Sequence, residues 1–310
     1  MQIIQKVKRK LLFNRDRLSY FHNLSEQTYQ RSLQQHLNNL PAISDEDKAI
    51  VNQLQQQGIV VTSLDQLNIS STPHLLADAT EIIPHLAKVL PNYKNQYLVK
   101  ASSELLLQYP SLFQWGAELK LLNLVENYLK LPVAYHGVYV RRDLANHVKK
   151  KTRLWHLDKE DRKMLKVIIY LSDVSEKIGP FQYISKDLTP WIFHNLRYNY
   201  SNITEEAMKA IISCSHWKSC LGKSGTVIII DPANIFHRGK IPIISDRFSL
   251  FFDYTSRLPR YPYYCKSCCD INELIQLSQG LNKTIKNYIF WNWKLKQQYT
   301  QKTKVVSMNH

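Results

Sequence analysis

The feature that most constrains the fold is a change of texture at Pro132. Beyond it run "VAYHGVYV", "MLKVIIYLS", "FQYIS", "GTVIIID" and "FSLFFDYTS", short β-branched or aromatic segments set apart by turn residues. A single helical insertion, "ITEEAMKAIISC", separates the third from the fourth. Parallel neighbours would need a crossover between every pair of strands, and no regular strand–helix–strand alternation is present. The pattern therefore predicts an antiparallel sandwich or barrel. The flanks read as helix. In residues 1–40, Ile3, Val7, Leu11 and Leu18 fall roughly on one face with lysines opposite, which suits a packing helix or one lying on a membrane surface. "SDEDKAIVNQLQQQGIVVTSL" predicts a helix with an acidic first turn, closed by Gly58 and followed by a short strand. Residues 73–131 and the stretch past 270 read as mainly helical. The expected organisation is a helical extension (1–45), a main domain (46–262) whose β core starts near 132, and a basic helical segment (263–310) packed on that domain.

Charge is the unusual bulk property. Lys and Arg total 41 against 25 Asp and Glu. No acidic residue follows Glu273, whereas Lys283, Lys286, Lys294, Lys296, Lys302 and Lys304 do, and a second basic run, "NHVKKKTR", occupies 146–153. Such surfaces favour anionic partners, although a solvated basic face is the plainer reading. No apolar run approaches the ~20 residues that span a bilayer, and the N-terminal apolar residues are not gathered into a signal-peptide core. Cytoplasmic residence is the expectation. Five cysteines, with Cys268 and Cys269 adjacent, make a poor disulfide framework. Cys265 and Cys268 with Cys214 and Cys220 offer four thiolates to zinc, but the second pair is spaced too widely for the usual half-site, and free buried thiols are commoner. The "YIFWNW" cluster at 288–293 could stack on bases, although a helix burying Ile289 and Trp293 is the simpler account. Phosphate-binding glycine loops and a Gly-X-Ser-X-Gly elbow are lacking.

Chemistry enters at "WHLDKEDRKMLKVIIYLSDVSEKIGPF", residues 155–181. His156 and Asp158 stand two apart ahead of a β-branched run that ends in a Gly-Pro turn. Alone, a His-X-Asp pair is usually a solvated polar end. A third candidate lies in "KSGTVIIIDPANIFHRGKIPIISDRFSLFFDYTS", where His237 follows a strand and Arg247 opens another ten residues later. Two neutral imidazoles and one carboxylate can hold one face of an octahedral iron(II), leaving positions for a bidentate cosubstrate and O₂. Arg247 has a fork suited to the far carboxylate of 2-oxoglutarate.

This order of residues resembles the phytanoyl-CoA dioxygenase family of 2-oxoglutarate-dependent oxygenases. The resemblance is carried by Trp155-His156-Leu157-Asp158, "YLSDVSEKIGPF", "SGTVIIIDPANIFH" and Arg247, over roughly residues 130–256. It departs from the family where "GPFQYISKDL" replaces a Pro-Gly-Ser-His turn and where Arg238 follows the distal histidine. The resemblance implies an α+β fold with a double-stranded β-helix core (a cupin-like jelly roll) flanked by N- and C-terminal helices. It implies His156, Asp158 and His237 as ligands of Fe(II), Arg247 as the 2-oxoglutarate contact, and Arg142 as a second one. The implied reaction uses O₂ and converts 2-oxoglutarate to succinate and CO₂ while hydroxylating an unactivated C–H bond. Halogenases of this kind carry a small residue in place of the carboxylate ligand, so Asp158 implies oxygenation or desaturation. The basic run beside His156, with Arg238, leads to the expectation of a rim that recruits a small or carrier-linked anionic substrate. Two rivals stand beside this reading. A jelly-roll binding protein would form no succinate, and a nucleic-acid-binding protein would show steeply salt-dependent oligonucleotide binding.

Overall fold

The computed structural model describes residues 2–292. Trp293 and the tail lysines Lys294, Lys296, Lys302 and Lys304, read above as part of a basic helical segment, lie outside the described residues. The strands are β1 (Ile59–Ser63), β2 (Leu98–Lys100), β3 (Val133–Asp143), β4 (Met164–Tyr170), β5 (Phe181–Ile184), β6 (Trp217–Cys220), β7 (Thr226–Ile230), β8 (His237–Gly239) and β9 (Arg247–Ser256). They form a six-stranded sheet in the order β1-β7-β4-β9-β3-β2 and a three-stranded sheet in the order β6-β5-β8. All of the pairings are antiparallel. The fold is mixed: helices packed on antiparallel sheets.

The apolar runs that mark these strands are continuous because the larger sheet is covered on both faces. On one face Val138, Val140, Leu165, Val167, Val227, Ile229, Leu250 and Phe252 join helix residues such as Leu75, Ile82, Leu122 and Val125. On the other, Ile168, Tyr170, Ile228, Ile230 and Phe251 meet Phe181 and Cys220 of the smaller sheet. Full burial of each such side chain stabilises by about 1.5–3 kcal/mol. The second of these layers is the space between the sheets, and it is where the site residues point.

Local signals account for the helices that frame the sheets. Helix Asp45–Gln57 starts where the Ser44 side chain accepts from the Asp47 amide, and it stops at Gly58, whose φ of 72° is the left-handed region that favours glycine. The chain then enters β1 directly. Helix Leu119–Leu129 feeds β3 through the turn at Pro132. Helices Ile271–Leu277 and Lys283–Ile289 bury Leu274, Leu277, Ile285 and Ile289 in the same core as the larger sheet.

Two stretches carry detail beyond the sequence expectation. Residues 1–40 form two helices, Gln2–Asp16 and Ser19–His36, broken where Leu18 adopts an extended backbone. The face carrying Val7, Leu11 and Leu18 points to solvent, and Phe13 and Tyr29 make the buried contacts instead. Residues 73–131 are mainly helical, as expected, with one short strand among the helices. Helix Thr72–Lys88 ends, β2 pairs with the edge of β3, and shorter helices follow. Three residues show no readable period, so β2 exists only because β3 offers an edge.

Candidate metal centre

His156 reaches its place through backbone pairing. Its N–H donates to the His237 carbonyl at 3.1 Å, and the His237 N–H donates back to the His156 carbonyl at 3.1 Å. The segment Trp155–His156 thus runs antiparallel to the start of β8 and sets the two imidazoles side by side, ring centroids 4.3 Å apart. Two residues on, the Asp158 amide donates to the Pro232 carbonyl at 2.9 Å, which turns its carboxylate toward the same point. Ligand atoms of His156, Asp158 and His237 all lie within 4.8 Å of one another. Residues 81 positions apart in the chain converge here because β4 to β7 complete a loop through both sheets.

Proton positions follow from the second contacts. Nδ1 of His156 faces the Leu154 carbonyl at 2.8 Å, and Nδ1 of His237 faces the Ile235 carbonyl at 2.9 Å. A carbonyl only accepts, so each Nδ1 carries the proton and each Nε2 offers a bare lone pair. Burial keeps both rings neutral. It lowers the pKa of His156, and burial together with the neighbouring His156 pushes that of His237 down to about 3. Burial would by itself raise Asp158, but the ammonium of Lys166 against it outweighs that and holds the carboxylate ionised. Two neutral nitrogen donors and one carboxylate are the donor set of a facial iron(II) site, and carbonyl-anchored histidines are pre-oriented for it. Phe181 stacks on the His237 ring at 5.5 Å and closes one side with an apolar wall.

Arg247 lies in the same layer between the sheets. Its guanidinium donates to the Gly179 carbonyl and, at 3.0 Å, to Asp143, and it is almost wholly buried. The Gly239 backbone of β8 comes close to the same group: a Cβ there would stand 3.2 Å from Nη2. Arg142 is elsewhere. Successive side chains on β3 alternate in direction, and Arg142 shares the helix-facing side with Val138 and Val140. There it binds Asp246 at 2.6 Å and the carbonyls of Ala87 at 2.6 Å and Val89 at 3.0 Å, capping the end of helix Thr72–Lys88. The geometry thus separates Arg142 from the other four site residues.

Its neighbour Arg141 takes the inward position, over the Phe251 ring at 4.2 Å and paired with Asp143 at 3.0 Å. The sequence reading passed over Arg141, as it did Lys166, Asp253 and Lys100. Lys166 contacts Asp158 and stands 4.0 Å from Asp253. Lys100 pairs in register with Arg141 and holds its ammonium 3.9 Å from the Tyr139 ring centroid. A period-two count from Val138 and Val140 would have separated Arg141 from Arg142. The bulge at Tyr135/Gly137 hides that phase farther back along the strand.

The basic run follows the end of β3, and its last turn, Lys151–Arg153, packs on β8, the strand that begins at His237. β3 ends at Asp143, which is paired with Arg247 at the start of β9, and the 146–153 loop continues from that end. Arg153 is buried there, bound to the carbonyls of Leu144 and Tyr97, and Lys150 sits over Tyr93. Arg238 points away from His237, packed between Trp155 and Trp217 and paired with Glu205 at 3.0 Å. The cysteines do not assemble a metal site: among the described residues, the three-residue group above is the one cluster with metal-ligating geometry. No helix among the described residues is long and apolar enough to cross a membrane.

No protein-family model matches the chain, and no curated protein matches it. Among solved structures it is similar to HygX from Streptomyces hygroscopicus with nickel and 2-oxoglutarate bound, at 15% identity over 70% of this chain and 88% of that one, with a TM-score of 0.44. EctD from S. alaskensis with bound Fe is 18% identical over 72% and 83%, with a TM-score of 0.47. SnoN, the non-heme alpha ketoglutarate dependent epimerase from nogalamycin biosynthesis, is 12% identical over 68% and 83%, with a TM-score of 0.45.

Proposed function

We propose that this chain is an iron(II)- and 2-oxoglutarate-dependent oxygenase of the phytanoyl-CoA dioxygenase type, with its two sheets forming a double-stranded β-helix. The observation that carries the reading is the donor set: two imidazoles with Nδ1 tied to carbonyls and Nε2 bare, converging with one carboxylate. Bound iron would activate O₂ against 2-oxoglutarate and supply the oxidising power for a C–H bond. The protein residues do the rest. His156, Asp158 and His237 hold one face of the metal, and Arg247 holds the distal carboxylate of the cosubstrate from the same layer. Phe181 and the apolar side chains around it keep that layer dry. Because Asp158 occupies the third protein position, we read the outcome as hydroxylation, with no halide incorporated even in excess chloride.

The substrate in this reading is small or carrier-linked and anionic. Support comes from Lys100 and Arg141, which stand side by side on the inward face of β2 and β3. The test is anaerobic iron binding together with 2-oxoglutarate-dependent succinate formation. The parent should bind about one iron per chain, and His156→Ala or His237→Ala should abolish both iron binding and succinate. Arg247→Met should weaken 2-oxoglutarate by ~10²-fold with iron affinity little changed, as expected for loss of a charge-assisted pair. Undiminished iron and succinate in either histidine variant would remove that residue from the centre.

A further inference from the structure

The smaller sheet has a second, outward face that the iron reading does not use. Gln182 of β5 and Arg238 of β8 are paired in register and point outward there, while their neighbours Tyr183 and His237 point inward. Over this face lies a cavity of about 540 Å³, within the ~300–1,000 Å³ range of small-molecule sites. His156, Asp158 and His237 do not line it.

We propose that this cavity is a second ligand site, for an amphipathic anion: an aliphatic chain ending in a phosphate or carboxylate. Its walls are apolar where Leu154, Trp217, Ile241 and Ile243 contribute. Its polar edge is cationic, with Lys149, Lys209 and Lys240 present beside the carboxylates of Glu205 and Glu206. The buried cations Arg153 and Arg238 add to that field from below, so the lining carries more positive than negative groups. Lys149 is the least committed of them, 63% exposed and 3.9 Å from its nearest carboxylate. A chain laid against Trp217 and the isoleucines would bury apolar surface while its head group meets the lysines. This account gives the "NHVKKKTR" run a ligand role away from the iron.

The cavity has a built-in reporter. Arg238 is packed between Trp217 on the cavity wall and Trp155 behind it, at 4.9 and 4.7 Å. Trp155 and Arg238 are the chain neighbours of His156 and His237, so occupancy should register in tryptophan emission.

Octyl phosphate, used below its micelle concentration, is the probe, followed by calorimetry and by tryptophan fluorescence. Octanoate, octanol and inorganic phosphate serve as comparison arms. The expected result is saturable one-site binding of octyl phosphate or octanoate, with octanol and inorganic phosphate at least about tenfold weaker. The pair Lys149→Gln with Lys209→Gln should weaken the anion by about tenfold. Ile243→Asp, at an exposed wall position, should block the chain and leave thermal unfolding unchanged. His156→Ala should bind as the parent does, because the site is independent of iron. Absence of saturable binding, equal affinity in both cavity variants, or loss of binding in His156→Ala would each overturn the proposal.

Discussion

Asp143 offers the sharpest test of how the layer between the sheets is held together. Its carboxylate is 3% exposed and receives Nη2 of Arg141 and Nη2 of Arg247, each at 3.0 Å. Asp143→Asn keeps the shape, removes the charge and turns its amide N–H toward one guanidinium group, while the remaining oxygen can still accept from the other. Hydrogen bonds to charged groups contribute about 1.5–3 kcal/mol each, so losing one sets a floor near 1.5 kcal/mol. Leaving buried guanidinium groups without an anion costs about 3–5 kcal/mol, which sets the ceiling. Urea unfolding at pH 7, with the slope m unchanged, is the assay. At an m of about 3 kcal/mol/M the midpoint should fall by about 0.5 M or more.

The pH dependence gives that prediction a sign. Burial alone would raise the pKa of Asp143, but Arg141 and Arg247 outweigh it and hold the group below its ordinary value of 3.8. A carboxylate depressed in the folded state stabilises above its unfolded pKa and loses that contribution as pH falls through the folded one. The difference between parent and Asp143→Asn should therefore be full at neutral pH and close below about pH 3.8. A neutral-pH loss under about 1 kcal/mol would refute the reasoning, since it would mean that water or another group already neutralises the arginines.

Three further outcomes follow from the same geometry. Tyr128→Phe removes the 2.6 Å hydrogen bond to fully buried Asp231, the residue that ties down the loop leading to His237, and should cost about 1.5–3 kcal/mol in chemical denaturation. Arg142→Ala should destabilise by about 1–3 kcal/mol through loss of Asp246 and the helix-end carbonyls, while the 2-oxoglutarate dissociation constant stays within about twofold of the parent. Lys149, Lys150 and Lys151 changed together to Gln should leave kcat/KM of the iron-dependent reaction within about twofold, because Lys149 lines the outer cavity, Lys150 lies over Tyr93, and exposed charges are screened within a Debye length of about 8 Å. A large fall in that last measurement would return the lysines to the iron site.

The chain of residues determined the kinds of element and the donor set. β-branched runs without helical alternation allow only antiparallel pairing, and Ser44 with Gly58 bounds its helix by local hydrogen bonding and backbone freedom, so both were legible without tertiary contacts. His156, Asp158 and His237 were legible as candidates, because donor chemistry is a property of residue type and the His-X-Asp spacing is local, whereas the convergence of His237 on the pair is a fact of the tertiary structure. Direction was not legible. A period-two count puts Arg141 and Arg142 on opposite faces, but only the tertiary structure, with one helix-covered face and one facing the smaller sheet, decides that Arg141 goes inward and Arg142 to Asp246. Likewise Arg238 is adjacent to His237 in sequence but lies on the opposite face of β8, since consecutive strand residues must diverge. The position of the basic run at the Arg247 end, the three-residue β2 and the Lys166 contact with Asp158 all depend on register between distant strands. Register is fixed by packing of the whole sheet, which no local window of sequence contains.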